Sequence, residues 1–150
     1  HLDARFSGTT LVTVLLHGET LYCANLGDSR AVLATLKPLS YNLNNSSETV
    51  IRLSNKKNSK WVGTQLSRDH KPDCEGERKR IEESGGRVQR YSERDMRSGE
   101  VKYMGPARVY LKREEYPGLA MSRSIGDLVA HSVGVSAEAE LLIHPLSPHD

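Results

Sequence analysis

Two Gly-Asp corners constrain this chain more than any other feature. One stands at Gly27-Asp28 within CANLGDSRAVL (23–33), the other at Gly126-Asp127 at the end of PGLAMSRSIGD (117–127). Each closes an apolar run fit for a packed strand, frees the backbone at glycine, and then presents one carboxylate. Two carboxylates mounted on buried strands are what a hard divalent cation, Mg²⁺ or Mn²⁺, requires. Each corner also has a purely local reading. Gly27-Asp28 reads as a hairpin turn, where both residue types are favoured. Asp127 reads as the N-cap of a helix beginning at Leu128.

The bulk properties narrow the classes. A chain of 150 residues is large enough for one domain with a real core. Its 37% hydrophobic and 27% charged residues fit a globular chain rather than a disordered one. With 21 basic against 19 acidic residues, and no basic block interleaved with aromatics, nucleic acid is not an expected partner. The longest apolar run, residues 11–16, is strand-length and broken by Thr13, so no membrane segment is expected. Cys23 and Cys74 make neither a disulfide framework nor a zinc spacing. A reducing compartment, cytoplasmic or nuclear, is the expectation. The start, His1-Leu2-Asp3, predicts a piece of a longer protein.

Read in order, residues 7–10 (SGTT) form a turn or strand entry. Residues 11–17 predict a strand buried on both faces, with His17 solvated at the turn that follows. Strands are expected at 20–26 and 29–36, joined by short turns into an antiparallel meander. Residues 37–60 form a polar insertion whose composition favours mobility, with a short strand at 49–53 and a solvated basic tip at 56–60. A strand returns at 61–66. Pro72 bars helix before it and suits the first turn of a helix after it. Residues 73–84 predict a surface helix with Ile81 as its main apolar contact and Glu77, Arg78, Lys79 and Arg80 exposed; Gly85-Gly86 stops it. A short strand at 87–91, an irregular charged stretch at 92–100, loose alternation over 101–111, a short helix at 128–133 and a last strand at 139–144 complete the chain.

Five motifs then fall in a fixed order: SGTT (7–10), ANLGDSRAVL (24–33), LSRDHKP (66–72), RIEESGGRV (80–88) and GLAMSRSIGD (118–127). Together they resemble the metal-dependent protein serine/threonine phosphatases of type 2C, most closely the plant and protist branch. The resemblance implies an α+β fold: part of an antiparallel β-sandwich flanked by helices in α/β/β/α layers, with an extended flap at about residues 69–117. It implies two metal ions, Mg²⁺ or Mn²⁺, whose bridging hydroxide attacks phosphorus in line. Asp127 takes the role of a core metal ligand, and Asp28 that of a ligand to a third, looser metal. Phosphorylated proteins are the implied substrates. Arg87, Arg90, Arg94 and Arg97 in the flap are candidates to meet phosphate, against the alternative of a solvated charged loop.

The departures set further expectations. The family's upstream arginine and Asp-Gly-His-Gly motif, and its downstream Asp-Gly and Asp-Asn motifs, have no match here, so residues 1–150 are expected to be the central part of a catalytic domain and inactive alone. SAEAE (136–140) carries Ala139 where the family has proline, which loses a rigid turn but no ligand. Uncovered apolar faces of the truncated sandwich are expected to invite self-association, through symmetric dimers. The alternative function is a pseudophosphatase or regulatory module that binds phosphoproteins without hydrolysis.

Overall fold

A computed structural model of the chain describes residues 3–43, 48–51 and 59–147. Among them are eleven strands and two helices, an α+β composition as expected. The chain divides into two compact units. One holds the residues up to Leu11, Leu26–Asp28 and Asp69–Glu138; the other holds Val12–Asn25, Ser29–Arg68 and the residues from Ala139 on.

The second unit contains two three-stranded sheets. In one, β2 (Leu11–His17) neighbours β3 (Thr20–Leu26), and β3 pairs antiparallel with β11 (Glu140–Pro145). In the other, β4 (Val32–Pro38) and β5 (Glu48–Ile51) both pair antiparallel with β6 (Ser59–Gln65). The expected three-strand meander is therefore corrected. The segment after Gly27-Asp28 does not fold back on β3; it leaves for the other sheet, and the chain's last strand takes the vacant edge of β3. Close spacing predicted the neighbours but does not fix which strands pair: β3 takes β11 from Asn25 opposite Glu140 to Thr20 opposite Pro145.

Strand β2 is also less buried than a continuous apolar run predicts: Leu11, Val14, Leu15 and Leu16 are exposed, as are Leu141 and Ile143 on β11. Cys23, Asn25, Thr35, Val62, Leu66 and Ser67 are buried here. Both cysteines are free thiols. Within 37–60, the short strand is Glu48–Ile51, and Lys60 Nζ donates to the Tyr41 carbonyl at 2.6 Å. Residues 44–47 and 52–58, which carry most of the polar run read as mobile and the Lys56-Lys57 part of its basic tip, lie outside the described residues.

The first unit is built on the sheet β7 (Gly86–Arg94), β8 (Val101–Leu111) and β9 (Pro117–Leu119). The β7–β8 ribbon is longer than the short strand expected at 87–91, and it shifts register between Arg90 and Tyr91, where Gly105 and Pro106 are the extra residues on the facing strand. Helix α1 (Glu75–Glu83) packs on β7, and the core gathers Ile81, Val109, Ala130, Val133 and Val135, with Val88, Leu111 and Leu119 against them. Fully burying an aliphatic side chain such as Ile81 contributes about 1.5–3 kcal/mol. Three of the four flap arginines are engaged: Arg87 with Glu115 at 2.7 Å, Arg90 with Asp73 at 3.1 Å, and Arg94 with the Gly99 carbonyl at 3.4 Å.

A second correction concerns α1. Glu77 does not face solvent; it is 4% exposed, one turn before Ile81 and on the same helix face. Its carboxylate accepts from Arg80 Nη1 at 3.0 Å and Nη2 at 2.7 Å, from Arg123 Nη2 at 2.7 Å, and from the Ser122 hydroxyl at 2.6 Å. Burial alone would push this carboxyl up, but the guanidiniums and the hydroxyl outweigh burial and hold it well below the usual carboxylate range. A carboxyl whose folded pKa is depressed contributes stability that is present above its unfolded value, ~4.3, and lost as pH falls toward the folded value. Denaturant unfolding followed from pH 7 down to pH 3 should therefore show a steeper acid loss in the wild type than in Glu77→Gln; equal slopes would rule out this carboxylate as an acid-labile tie.

Candidate metal centre

The carboxylate of Asp127 is placed by a short ladder. Strand β1 (Gly8–Thr9) pairs antiparallel with β10 (Ile125–Gly126), Gly8 opposite Gly126. The ladder continues as backbone bonds from Asp127 N to the Ser7 carbonyl at 2.9 Å and from Leu128 N to that of Ala4 at 3.0 Å. Gly126 has φ +84, and a side chain there would run into the Ser7 carbonyl. Asp127 itself lies in the left-handed region (φ 48, ψ 42), which few non-glycine residues adopt and Asp tolerates better than most.

Helix α2 (Leu128–His131) does begin after Asp127, whose main-chain carbonyl accepts from Ala130 N at 2.8 Å and His131 N at 3.1 Å. The side chain, however, makes no cap bond. It turns instead into the space that Gly8 leaves open, where any Cβ would overlap the carboxylate. Asp127 is 8% exposed there. Burying an ionised carboxylate is costly unless donors or a cation reach it, so a side chain held this way differs from the expected local role of a cap.

The Gly27-Asp28 corner is clasped by His70, which is buried. Gly27 N donates to His70 Nδ1 at 3.0 Å, and His70 N donates back to the Gly27 carbonyl at 3.0 Å. An imidazole accepting at Nδ1 carries its proton on Nε2 and is neutral. Gly27 has φ +96; a side chain would strike the Thr10 methyl and come within 3.2 Å of the Arg123 carbonyl. Asp28 is partly exposed and forms an ion pair with Lys71.

Both corners thus lean on one N-terminal stretch: Asp127 on Gly8, Gly27 on Thr10. Beside it lies an open hollow of about 530 Å³, walled by Asp3, Ser7, Gly8, Thr9, Ile125 and Gly126 among others. Among the described residues no three His, Cys, Asp or Glu side chains gather to enclose a cation. Asp127 fits a single oxygen ligand to Mg²⁺ or Mn²⁺ by chemistry and setting; Asp28 fits one only after its lysine partner yields. The sequence reading gives Gly8 and His70 no role of their own and puts Glu77 on the exposed helix face. Only Glu77 left a usable signal, its spacing of one turn from Ile81.

The comparisons with known proteins agree with these motifs. The family profile described as Protein phosphatase 2C matches residues 3–150. Probable protein phosphatase 2C 12 of Oryza sativa subsp. japonica is 39% identical over 141 residues, 94% of this chain and 29% of that protein. Probable protein phosphatase 2C 35 of Arabidopsis thaliana is 32% identical over 162 residues, covering 99% of this chain and 39% of the relative. The crystal structure of serine-threonine phosphatase 2C from Toxoplasma gondii superposes with a TM-score of 0.64 at 20% identity, over 97% of this chain and 39% of that one. A sex determining protein of C. elegans gives 0.58 at 23% identity, over 95% and 25%. The chain spans roughly a quarter to two fifths of the length of the curated relatives it matches. Its fold is part of the type 2C phosphatase fold, and the chain belongs to the protein phosphatase 2C family.

Proposed function

We propose that this chain is the central part of the catalytic domain of a Mg²⁺- or Mn²⁺-dependent phosphatase acting on phosphoserine and phosphothreonine in proteins. The observation that supports this best is the setting of Asp127: a buried carboxylate on a left-handed corner, uncapped, in a notch that only glycine at position 8 leaves open. In this reading Asp127 is a core metal ligand and Asp28 a ligand to a looser, accessory ion. When bound, the metals supply a water of lowered pKa and neutralise phosphoryl oxygens. The chain's own contribution is to fix where the carboxylates stand. Asp127 is rigid because its backbone is bonded on both sides, to Ser7 before the helix and into α2 after it. Asp28 is adjustable because it is partly exposed and its tie is a flexible lysine. The β7–β8 ribbon, within 69–117, serves as the flap that meets phosphoprotein substrates, and a cytoplasmic or nuclear setting suits the free thiols.

In the full-length protein, Asp127→Asn should lower Mn²⁺-dependent hydrolysis of a phosphothreonine peptide by at least about 100-fold, beyond the 10–100-fold typical of losing an outer partner of a ligand. Asp28→Asn should cost less. Equal losses, or none at Asp127, would refute the assignment, and a full-length wild type that binds phosphopeptide in the presence of Mn²⁺ without turning it over would favour the regulatory module. The packing at Gly8 generates a separate expectation: Gly8→Ala forces the carboxylate out of its notch and should weaken Mn²⁺ binding about as much as Asp127→Asn, as titration calorimetry can check.

Residues 1–150 alone should show no Mn²⁺-dependent turnover, because one core ligand gives Mg²⁺ or Mn²⁺ little over its own hydration shell. The exposed aliphatic side chains of β2 and β11 should drive that fragment to self-associate in sedimentation velocity. A monomeric fragment with metal-dependent activity would contradict both statements.

A further inference from the structure

Glu77 is the most heavily bonded side chain in the first unit, and the proposed chemistry gives it no part. We infer that it is a positioning residue for both carboxylate corners, acting through Arg123 and Ser122; this rests on the reading of Asp127 as a metal ligand. The connection is covalent and short. Ser122 and Arg123 are held by the Glu77 carboxylate, and Asp127 lies four residues beyond Arg123 in the same extended segment. Between them, Ser124 is fully buried, its N–H donating to the Ser136 carbonyl at 3.0 Å and its carbonyl 3.0 Å from His131 Nε2. The segment therefore has no slack in which to absorb a shift at its start.

Arg123 also reaches the other corner. Its carbonyl oxygen backs Gly27 at a distance where a Cβ would sit 3.2 Å away. The Ser122 N–H donates to the carbonyl of His70, whose ring clasps Gly27. Moving Ser122 and Arg123 thus moves the floor under Asp28 as well as the tether of Asp127.

Glu77 is suited to hold that point because it is the shared counter-charge of two guanidiniums. Arg80 uses its remaining donors on the Gly134 carbonyl at 2.8 Å and the Ser122 carbonyl at 2.9 Å, and Arg123 on the Glu138 carbonyl at 2.9 Å. Without the carboxylate, two like charges would face each other across a largely buried site with no counter-charge between them, and Arg123, only 16% exposed, would be driven from it. An amide in place of the carboxylate brings N–H groups against N–H groups and disrupts the same contacts with almost no change of volume.

The test uses the full-length protein and Mn²⁺ itself as probe. Dissociation constants are measured by calorimetry, beside thermal midpoints, for wild type, Glu77→Gln, Ser122→Ala, Asp127→Asn and Ile81→Val. Ile81→Val is the control, since it weakens the same helix through the core and leaves the carboxylate untouched. Glu77→Gln should raise the Mn²⁺ dissociation constant about tenfold or more, as expected for a group that orients a ligand, and Ser122→Ala should raise it by a smaller factor. Ile81→Val should lower the thermal midpoint yet leave the dissociation constant within about twofold. If Glu77→Gln does not fold, Ser122→Ala against Ile81→Val decides the matter. Unchanged affinity in Asp127→Asn overturns the ligand reading and this inference with it. Lost affinity in Asp127→Asn with none lost in Glu77→Gln or Ser122→Ala overturns this inference alone, and so does an equal loss in Ile81→Val, which would make the effect one of stability.

Discussion

The first unit depends on one buried negative charge. Glu77 sits where a helix, a polar corner and a returning loop meet, and it is the only carboxylate that both Arg80 and Arg123 touch among the described residues. Arg80 also donates to the Gly134 and Ser122 carbonyls and Arg123 to that of Glu138, so the charge pairs also tie down backbone outside the sheets. Removing both ions from water is expensive, and such a cluster is weak support for net stability. What it supplies is position. Ile81, one turn on, packs into an apolar core that could tolerate small slides; the forked geometry of two guanidiniums on one carboxylate does not.

Position matters because the backbone nearby is unusual at Asp127. A residue other than glycine in the left-handed region costs roughly 1–2 kcal/mol, and Asp127 adopts it between a glycine that must be there and a helix only four residues long. Such strain persists only where the surroundings over-determine it. Here they do: hydrogen bonds from Asp127, Leu128 and Val129 to the N-terminal residues 4–7 fix the corner from one side, and the first turn of α2 fixes it from the other. A residue chosen for capping alone would have used its side chain on the helix. This one leaves its side chain for something else.

Much of this was legible in the chain, for identifiable reasons. Strands β2 and β3 follow from aliphatic and β-branched runs between turn signals, and α1 from Pro72 before it and Gly85-Gly86 after it. The two Gly-Asp corners were visible because glycine is demanded by close contacts, with the Ser7 backbone at one corner and the Thr10 side chain at the other. What could not be read was non-local. That β4 leaves for a second sheet depends on β6, and that β3 gains β11 depends on a segment more than a hundred residues away. Glu77 was misjudged because charge was weighed above helical phase: its spacing from Ile81 placed it on the buried face, and its two arginine partners, one of them 46 residues on, make that burial tolerable. His70 carries no local sign of its role, since nothing in LSRDHKP says that its ring will accept a hydrogen bond from Gly27.

The two aspartates also differ in what already neutralises them, and that difference sets an order. Asp28 has the Lys71 ammonium as an internal cation, so any external ion there must first displace a partner that is tethered and always present. Asp127 has no cap bond to give up and sits in a drier setting, where a charge interacts more strongly than it does at the surface. Within the proposed reading, the first ion therefore belongs at Asp127, and occupancy at Asp28 follows only at higher metal concentration. The same asymmetry explains how one chain holds both a rigid and a labile carboxylate against a single N-terminal stretch. Gly8 leaves Asp127 a notch of its own, whereas the space at Gly27 is taken by Thr10 and Asp28 lies partly exposed against its lysine.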